Sequence, residues 1–345
     1  MKRFVPLRNR ALRISFLTDR LTLRTCLVLV VLAFVVAVAS AAIGSIPVSP
    51  LSVIRIMFGG GESGDALIVL QFRLPRAAAA FLVGASLAAA GAILQSVIRN
   101  PLASPDIVGI TGGASVAAVL YITLLETASV RFLPVAAMCG AAAAAAVIYA
   151  LAWKKGVSPM RLVLIGVGFG AGMSALTTFL IVTSPSHLTA KAMIWLAGTV
   201  YGSNWTDVMT LLPWTAVLFP LVFAYTGAAD ALQLGDETAT GVGSRVERNR
   251  LVLLILCVAL AGSAVAVGGA IGFIGLIAPH IARRLVGSSF GGVLPVAALT
   301  GGIVVAAADL FARTAFAPLD LPVGLFTALI GAPFFIYLLY KHRHS

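Results

Sequence analysis

The sequence predicts an all-α polytopic membrane protein of about ten transmembrane helices, with its N- and C-termini in the cytoplasm. Three observations carry this. The first is composition: of 345 residues, 60% are hydrophobic and 10% charged, against about 25% charged in an average soluble domain. With a mean hydropathy of +1.05, so much apolar surface cannot be hidden in one water-soluble core, and lipid must be the solvent. The second is length: apolar runs recur that approach the roughly 20 residues one helix needs to cross the hydrocarbon layer. The third is charge placement. Lys and Arg fall in short segments between the runs, mostly on one side, so the formal net charge of +12 reports orientation rather than a nucleic-acid-binding face.

In chain order, residues 1–25 form a basic cytoplasmic segment and 26–345 a single transmembrane domain. The basic start, the apolar run after it and VASA at 38–41 share the layout of a secretory signal, but the many later spans favour an uncleaved first helix. Spans are predicted near 26–46, 77–98, 107–124, 132–152, 161–183, 208–226, 251–270, 271–286, 293–315 and 322–340. The stretch 251–286 is long for one helix and short for two; its centre, GGAIGFIG, is glycine-rich, and Pro279 follows. Charge favours two. With ten spans, only Arg55, Arg73, Arg76, Arg131, Lys191 and Arg313 of the 24 Lys and Arg lie outside. A single crossing would move Arg283, Arg284, Lys341 and Arg343 outside and weaken the inward positive bias.

The spans are rich in small residues. GASLAAAGA (84–92), GVGFGAGMSA (166–175) and GGIVVAAAD (301–309) predict close helix contacts in lipid. GVGFGA (166–171) matches a dinucleotide-binding pattern, but it lies inside an apolar span with no strand before it, so the match is set aside. NPLASPDIVG (100–109) and APLDLPVG (317–324) are faintly alike and fall on opposite sides, a trace of an inverted repeat. Cys26, Cys139 and Cys257 lie far apart, each in or beside an apolar run, and read as small buried hydrophobes.

Several residues invite a functional reading. Arg73 and Arg76 in QFRLPR, with Arg313, sit outside against the prevailing bias. They either dock an acidic partner, for which the guanidinium fork is suited, or snorkel and cap their own helices. Asp309 lies one turn before Arg313 and is expected to orient it; a proton relay is the alternative, although no second deep acid accompanies it. The inner loop 227–250 is polar and glycine-punctuated, either a connector or a docking element. Gly272, Gly275 and Pro279 in GAIGFIGLIAPHIARRLVG (269–287) are candidates for helix kinking or gating. His280 reads as a packed residue, and His342 and His344 as tail residues. The chain has no phosphate-cradling loop, no metal-ligand cluster and no nucleophile motif, which predicts no enzymatic activity of its own.

Four long stretches occur together: RLPRAAAAFLVGASLAAAGAILQSVIRNPLASPDIVGITGGAS (73–115), LGDETATGVG (234–243), GAIGFIGLIAPHIARRLVG (269–287) and LPVGLFTALIGAPFFIYLL (321–339). They resemble the permease family of ABC importers for iron–siderophore complexes and cobalamin. RNPLASPDIVG and VERNR lean toward ferric-enterobactin-type members. The resemblance implies a cobalamin-importer-like fold, a homo- or heterodimer of permease chains in the bacterial inner membrane, and cytoplasmic ATPase subunits that hold ATP and Mg. It also implies a periplasmic or lipid-anchored binding protein delivering the cargo. No cofactor is expected on this chain. By the same resemblance Arg73, Arg76 and Arg313 meet acidic groups of the binding protein, and Gly235, Asp236 and Glu237 lie in the coupling loop that touches the ATPase. The basic N-terminus is longer than the family pattern and suits anionic lipid. A cobalamin or haem cargo, a proton-driven transporter and a non-transporting scaffold are the competing expectations.

Overall fold

The computed structural model describes residues 4–9, 14–60, 63–125, 129–154 and 156–341. Parts of the basic start and the tail histidines, His342 and His344, lie outside them. The chain opens with a feature the hydropathy pattern did not announce, an antiparallel hairpin of β1 (Phe4–Asn9) and β2 (Ile14–Asp19), with Phe4 opposite Asp19. Helix α1 (Arg20–Ala42) follows, capped by the Asp19 carboxylate, which accepts from the Leu21 N–H at 3.0 Å. The first span therefore starts six residues before the expected 26, because a side-chain cap sets the helix start ahead of the apolar run.

The short helices α2 (Pro50–Met57) and α3 (Ser63–Leu67) come next. A π-helical turn, Ile68–Arg73, then feeds α4 (Leu74–Ile98). Pro75 explains part of that turn. In i→i+5 register its missing N–H leaves the Leu70 carbonyl free; that oxygen accepts instead from the Trp205 indole at 2.7 Å. There follow α5 (Ile110–Leu124), α6 (Leu133–Ala152), α7 (Pro159–Val182), the short α8 (Ser186–Leu196) and α9 (Trp205–Ala224). The loop of 227–250 holds α10 (Thr226–Gln233) and α11 (Asp236–Gly241). Helices α12 (Val246–Gly268), α13 (Ile274–Val286), α14 (Phe290–Ala315) and α15 (Val323–Lys341) complete the chain.

Eight of these helices are long and apolar enough to cross a membrane, the one ending as α4 running from Gly64. The shorter α5 and α13 occupy the third and eighth expected positions, so ten helices appear in the predicted order. The stretch 251–286 is indeed broken in two. Its break, residues 269–273, carries Gly269 at φ +69° and Phe273 at φ +67°. Non-helical backbone at this depth is tolerated only where protein covers it. Here Ile271 is buried, and the Gly268 carbonyl accepts from Thr199 at 2.9 Å.

Helix α4 is the centre of the bundle: 20 of its 25 residues are buried, and α9, α12, α13 and α14 pack around it. Glycines make this possible. A Cβ on Gly84 would overlap the Gly301 carbonyl of α14, and one on Gly91 the Gly275 carbonyl of α13. Gly113 and Gly140 form the same kind of crossing between α5 and α6. Gly275 is thus a contact residue, whereas Gly272 stands in open space in the break and Pro279 is buried within α13. The small-residue stretch at 166–175 departs from expectation. Gly168, Gly170 and Gly172 of α7 have nothing within 4 Å of an added Cβ, because α7 lies at the edge of the chain, with only Leu162, Gly166 and Thr177 buried. Of the cysteines only Cys257 is buried; Cys26 is partly buried and Cys139 exposed. His280 packs edge-on against Phe334 at 5.5 Å.

Overpacking a tight crossing costs about 1–3 kcal/mol or more. Gly91→Leu should therefore lower the thermal midpoint of the detergent-purified protein sharply, while Gly170→Leu should leave it near wild type. Equal midpoints for the two variants would contradict this packing.

Candidate functional site: two charged rims joined by one helix

The π turn and the start of α4 bring the three outer arginines to one rim, and all three are partnered within the chain. Arg73 donates from Nη1 to the Ala41 and Ala42 carbonyls at 2.8 and 3.0 Å, and from Nη2 to Ile46 at 2.5 Å. Arg313, at the end of α14, donates to the Ile43 carbonyl at 3.0 Å and to the Ser40 carbonyl and hydroxyl. The acceptors on Ser40, Ala41, Ala42 and Ile43 lie at the C-terminus of α1, where the helix dipole also favours cations, and the Ala42 carbonyl is shared with the Val48 N–H at 3.0 Å; Ile46 lies in the segment that follows. Two separate segments thus cap one helix end. Gly44 leaves room beside them: a Cβ there would sit 2.5 Å from Arg73 Nη2 and displace that guanidinium.

Arg76 makes a double fork. Its Nε and Nη2 donate to Asp309 at 2.7–3.1 Å. Its Nη1 and Nη2 donate to Asp320 at 2.7 Å each. The guanidinium also lies 5.5 Å from the Tyr201 ring centroid. Asp309 therefore serves Arg76 first; its separation from Arg313 Nε is 3.8 Å. The expected one-turn pair with Arg313 is the weaker contact, because Arg76 reaches the carboxylate from the facing helix while Arg313 turns toward α1. In the sequence Asp320 carries a single signal, an acid between the prolines of APLDLPVG.

At the opposite rim, α4 ends on Arg99, a non-glycine residue at φ +58°. Its guanidinium approaches Asp236 Oδ1 of α11 at 3.6 Å. The same oxygen accepts from Arg250 Nη2 at 2.7 Å. Gly235 caps α11 at φ +100°, a conformation reserved for glycine, and a Cβ there would meet Arg99 Nη1 at 3.1 Å. Asp236 and Glu237 occupy the first turn of α11, where the helix dipole favours acids. Glu237 is exposed, as are Leu234 and Val242 on either side of α11. Helix α10 is held differently: Asp230 accepts from the Phe290 N–H at 2.7 Å, and burial pushes its carboxyl above the ordinary carboxylate range despite that bond. Arg99, Arg250 and Asp320 are the partners that reading along the sequence missed. Among the described residues no group of three or more His, Cys, Asp or Glu could hold a metal ion.

The model of the FecCD transport family matches residues 29–341. The chain belongs to that family. Among its FecCD relatives is the achromobactin transport system permease protein CbrC of Dickeya dadantii, 51% identical over 91% of this chain and 90% of that one. The Fe(3+)-citrate import system permease protein YfmE of Bacillus subtilis is 46% identical over 91% and 93%. The cobalamin import system permease protein BtuC of Halobacterium salinarum is 45% identical over 82% and 76%. A solved inward-facing structure, described as of the metal-chelate type of ABC transporter, superposes with a TM-score of 0.83 at 29% identity, covering 92% of this chain and 99% of that one. The chain is thus a multi-pass FecCD-type permease.

Removing one partner from a buried ion pair costs about 3–5 kcal/mol, because the other charge is stranded. Arg76→Ala should lower the thermal midpoint more than the double variant Arg76→Ala/Asp309→Ala. Additive losses would show that the two side chains are not coupled.

Proposed function

We propose that this chain is the membrane-spanning subunit of an ATP-driven importer carrying ferric–siderophore complexes across the bacterial inner membrane. ATP and Mg would be held by separate cytoplasmic ATPase subunits, and a second permease chain, identical or not, would complete the pathway. The observation that carries this reading is family membership over 29–341, together with relatives named for achromobactin and ferric citrate. Cobalamin is the second cargo, favoured by the Halobacterium salinarum relative. A proton-driven cycle would rest on Asp309, whose carboxylate already accepts three N–H bonds from Arg76.

In this reading α11 is the coupling element. Its exposed Glu237, flanked by exposed Leu234 and Val242, offers the mixed apolar and acidic surface an ATPase subunit could grip. ATP-driven closure moves it, and the bundle changes the side its pathway faces through differential binding of the two states. The break at Gly272, the tight contact at Gly275 and Pro279 give α13 a place to bend. On the outer rim the three guanidinium groups outnumber Asp309 and Asp320, so an acidic binding protein is drawn to it. Asp320, its side chain 26% exposed, marks the side from which an incoming carboxylate would exchange onto Arg76. Such rim contacts act on register and encounter rate more than on affinity.

Three outcomes are expected. In proteoliposomes holding the complete transporter, ferric-siderophore uptake should require ATP and survive collapse of the proton gradient; uptake that needs the gradient and ignores ATP would reject the proposal. Asp320→Asn should tighten binding-protein docking, and Arg76→Gln should weaken it while flattening its salt dependence. Unchanged affinity and salt slope in both would remove the outer rim from docking. Gly235→Val, denied its backbone conformation and pressed against Arg99, should keep the ATPase bound but abolish stimulation of hydrolysis by the loaded binding protein. Normal stimulation would argue against α11 as the coupling element.

A further inference from the structure

Among the described residues Arg250 is the least exposed charged side chain of the inner rim, 1% exposed, yet it lies one turn inside α12 beside a loop that meets water. Three elements converge on it. Its Nη2 donates to Asp236 Oδ1 of α11 at 2.7 Å. Its Nη1 donates to Glu247 Oε1 of the first turn of α12 at 2.9 Å and to the Val157 carbonyl of the α6–α7 turn at 2.6 Å. Glu247 closes the circuit by accepting from the Val157 N–H at 3.2 Å. That turn is shaped for the contact: Gly156 has φ +117°, and a Cβ there would stand 3.0 Å from Glu247 Oε1. From the other side Arg99, the left-handed C-cap of α4, approaches the same oxygen of Asp236.

We infer that Arg250 is the positioning residue of the coupling element, fixing α11 to α12, to the α6–α7 turn and, through the Asp236 carboxylate shared with Arg99, to the inner end of α4. This deepens the reading of α11 given above and rests on it. A flexible loop would dissipate a push from an ATPase subunit. A helix of six residues has little packing of its own, and a single apolar contact would let it roll. A planar guanidinium donating in fixed directions to a carboxylate and a carbonyl restricts both translation and rotation. The guanidinium end of these bonds is buried, while the Asp236 and Glu247 carboxylates stay 42% and 45% exposed, so the restraint rests on the fixed donor directions of Arg250. Displacement of α11 is thereby converted into displacement of α12 and α4, the helices that meet at the centre of the bundle. Glu237, in the same first turn of α11, is exposed and accessible to a partner.

The test uses the complete transporter in proteoliposomes and reads cargo moved per ATP hydrolysed, a ratio that a merely stabilising role leaves unchanged. Arg250→Gln and Asp236→Asn should each assemble with the ATPase but lower that ratio at least about fivefold, the lower end of measured coupling between sites. The double variant should be no worse than the worse single one, because the shared bond is already gone. Arg99→Asn, which keeps a residue tolerant of the left-handed backbone, should lower the ratio in the same direction. Asp236→Asn, which removes the acceptor of Arg250 on α11, decides the matter should Arg250→Gln fail to accumulate. Glu237→Cys in an otherwise wild-type chain reports separately on the contact itself. Failure of that thiol to cross-link to the ATPase would overturn the coupling reading. Cross-linking with a wild-type ratio in Arg250→Gln, or in Asp236→Asn where that variant decides, would overturn the role of Arg250 alone.

Discussion

Backbone-to-backbone contact between α4 and its neighbours is the constraint on which the rest of the bundle depends. In lipid there is no hydrophobic drive to bring one apolar helix against another, so association relies on close packing and internal polar contacts. Gly84 against Gly301 and Gly91 against Gly275 set α14 and α13 directly on α4. Burying α4 along most of its length then makes both of its ends fixed points. At one end the π turn and Pro75 aim Arg73 and Arg76 at the rim; at the other the helix stops on Arg99. The charged clusters are consequences of that placement, since neither would hold a geometry on a helix free to slide.

Much of the fold was legible in the sequence, because hydropathy and charge report membrane crossing directly. Ten spans were expected and ten helices occur in that order, and the glycine-rich centre of 251–286 marked the break between α12 and α13. What stayed hidden was local hydrogen bonding and long-range pairing. The β1–β2 hairpin carries no hydropathy signal. The π turn follows from Pro75 only once Trp205 is known to take the Leu70 carbonyl. Helix α8, at 11 residues, is too short to span and carries no crossing signal. Arg76 pairs with residues 233 and 244 positions away, a separation no spacing rule reaches, so the neighbour one turn off, Arg313, was the natural expectation for Asp309. Arg250 looked like one more inner cation, although burial sets it apart from the rest.

The two rims differ in a way that fits a permease worked from both sides. Outside, Arg73 and Arg313 spend their donors on the end of α1, and Arg76 holds two carboxylates, the outer of which is partly open to water. Inside, a small helix with an exposed acid and apolar flanks is pinned from beneath by a buried guanidinium. Membership of the FecCD transport family supplies the frame for both, and α4 is the rigid member between them.

That account requires the two ends of α4 to lie on opposite faces of the membrane. In a cysteine-free background, single cysteines at Phe58, 83% exposed beside the outer rim, and at the exposed Glu237 can be challenged with an impermeant thiol reagent in intact spheroplasts. The expected result is that Phe58→Cys reacts at once and Glu237→Cys only after the membrane is opened. Equal labelling of the two before permeabilisation would contradict it.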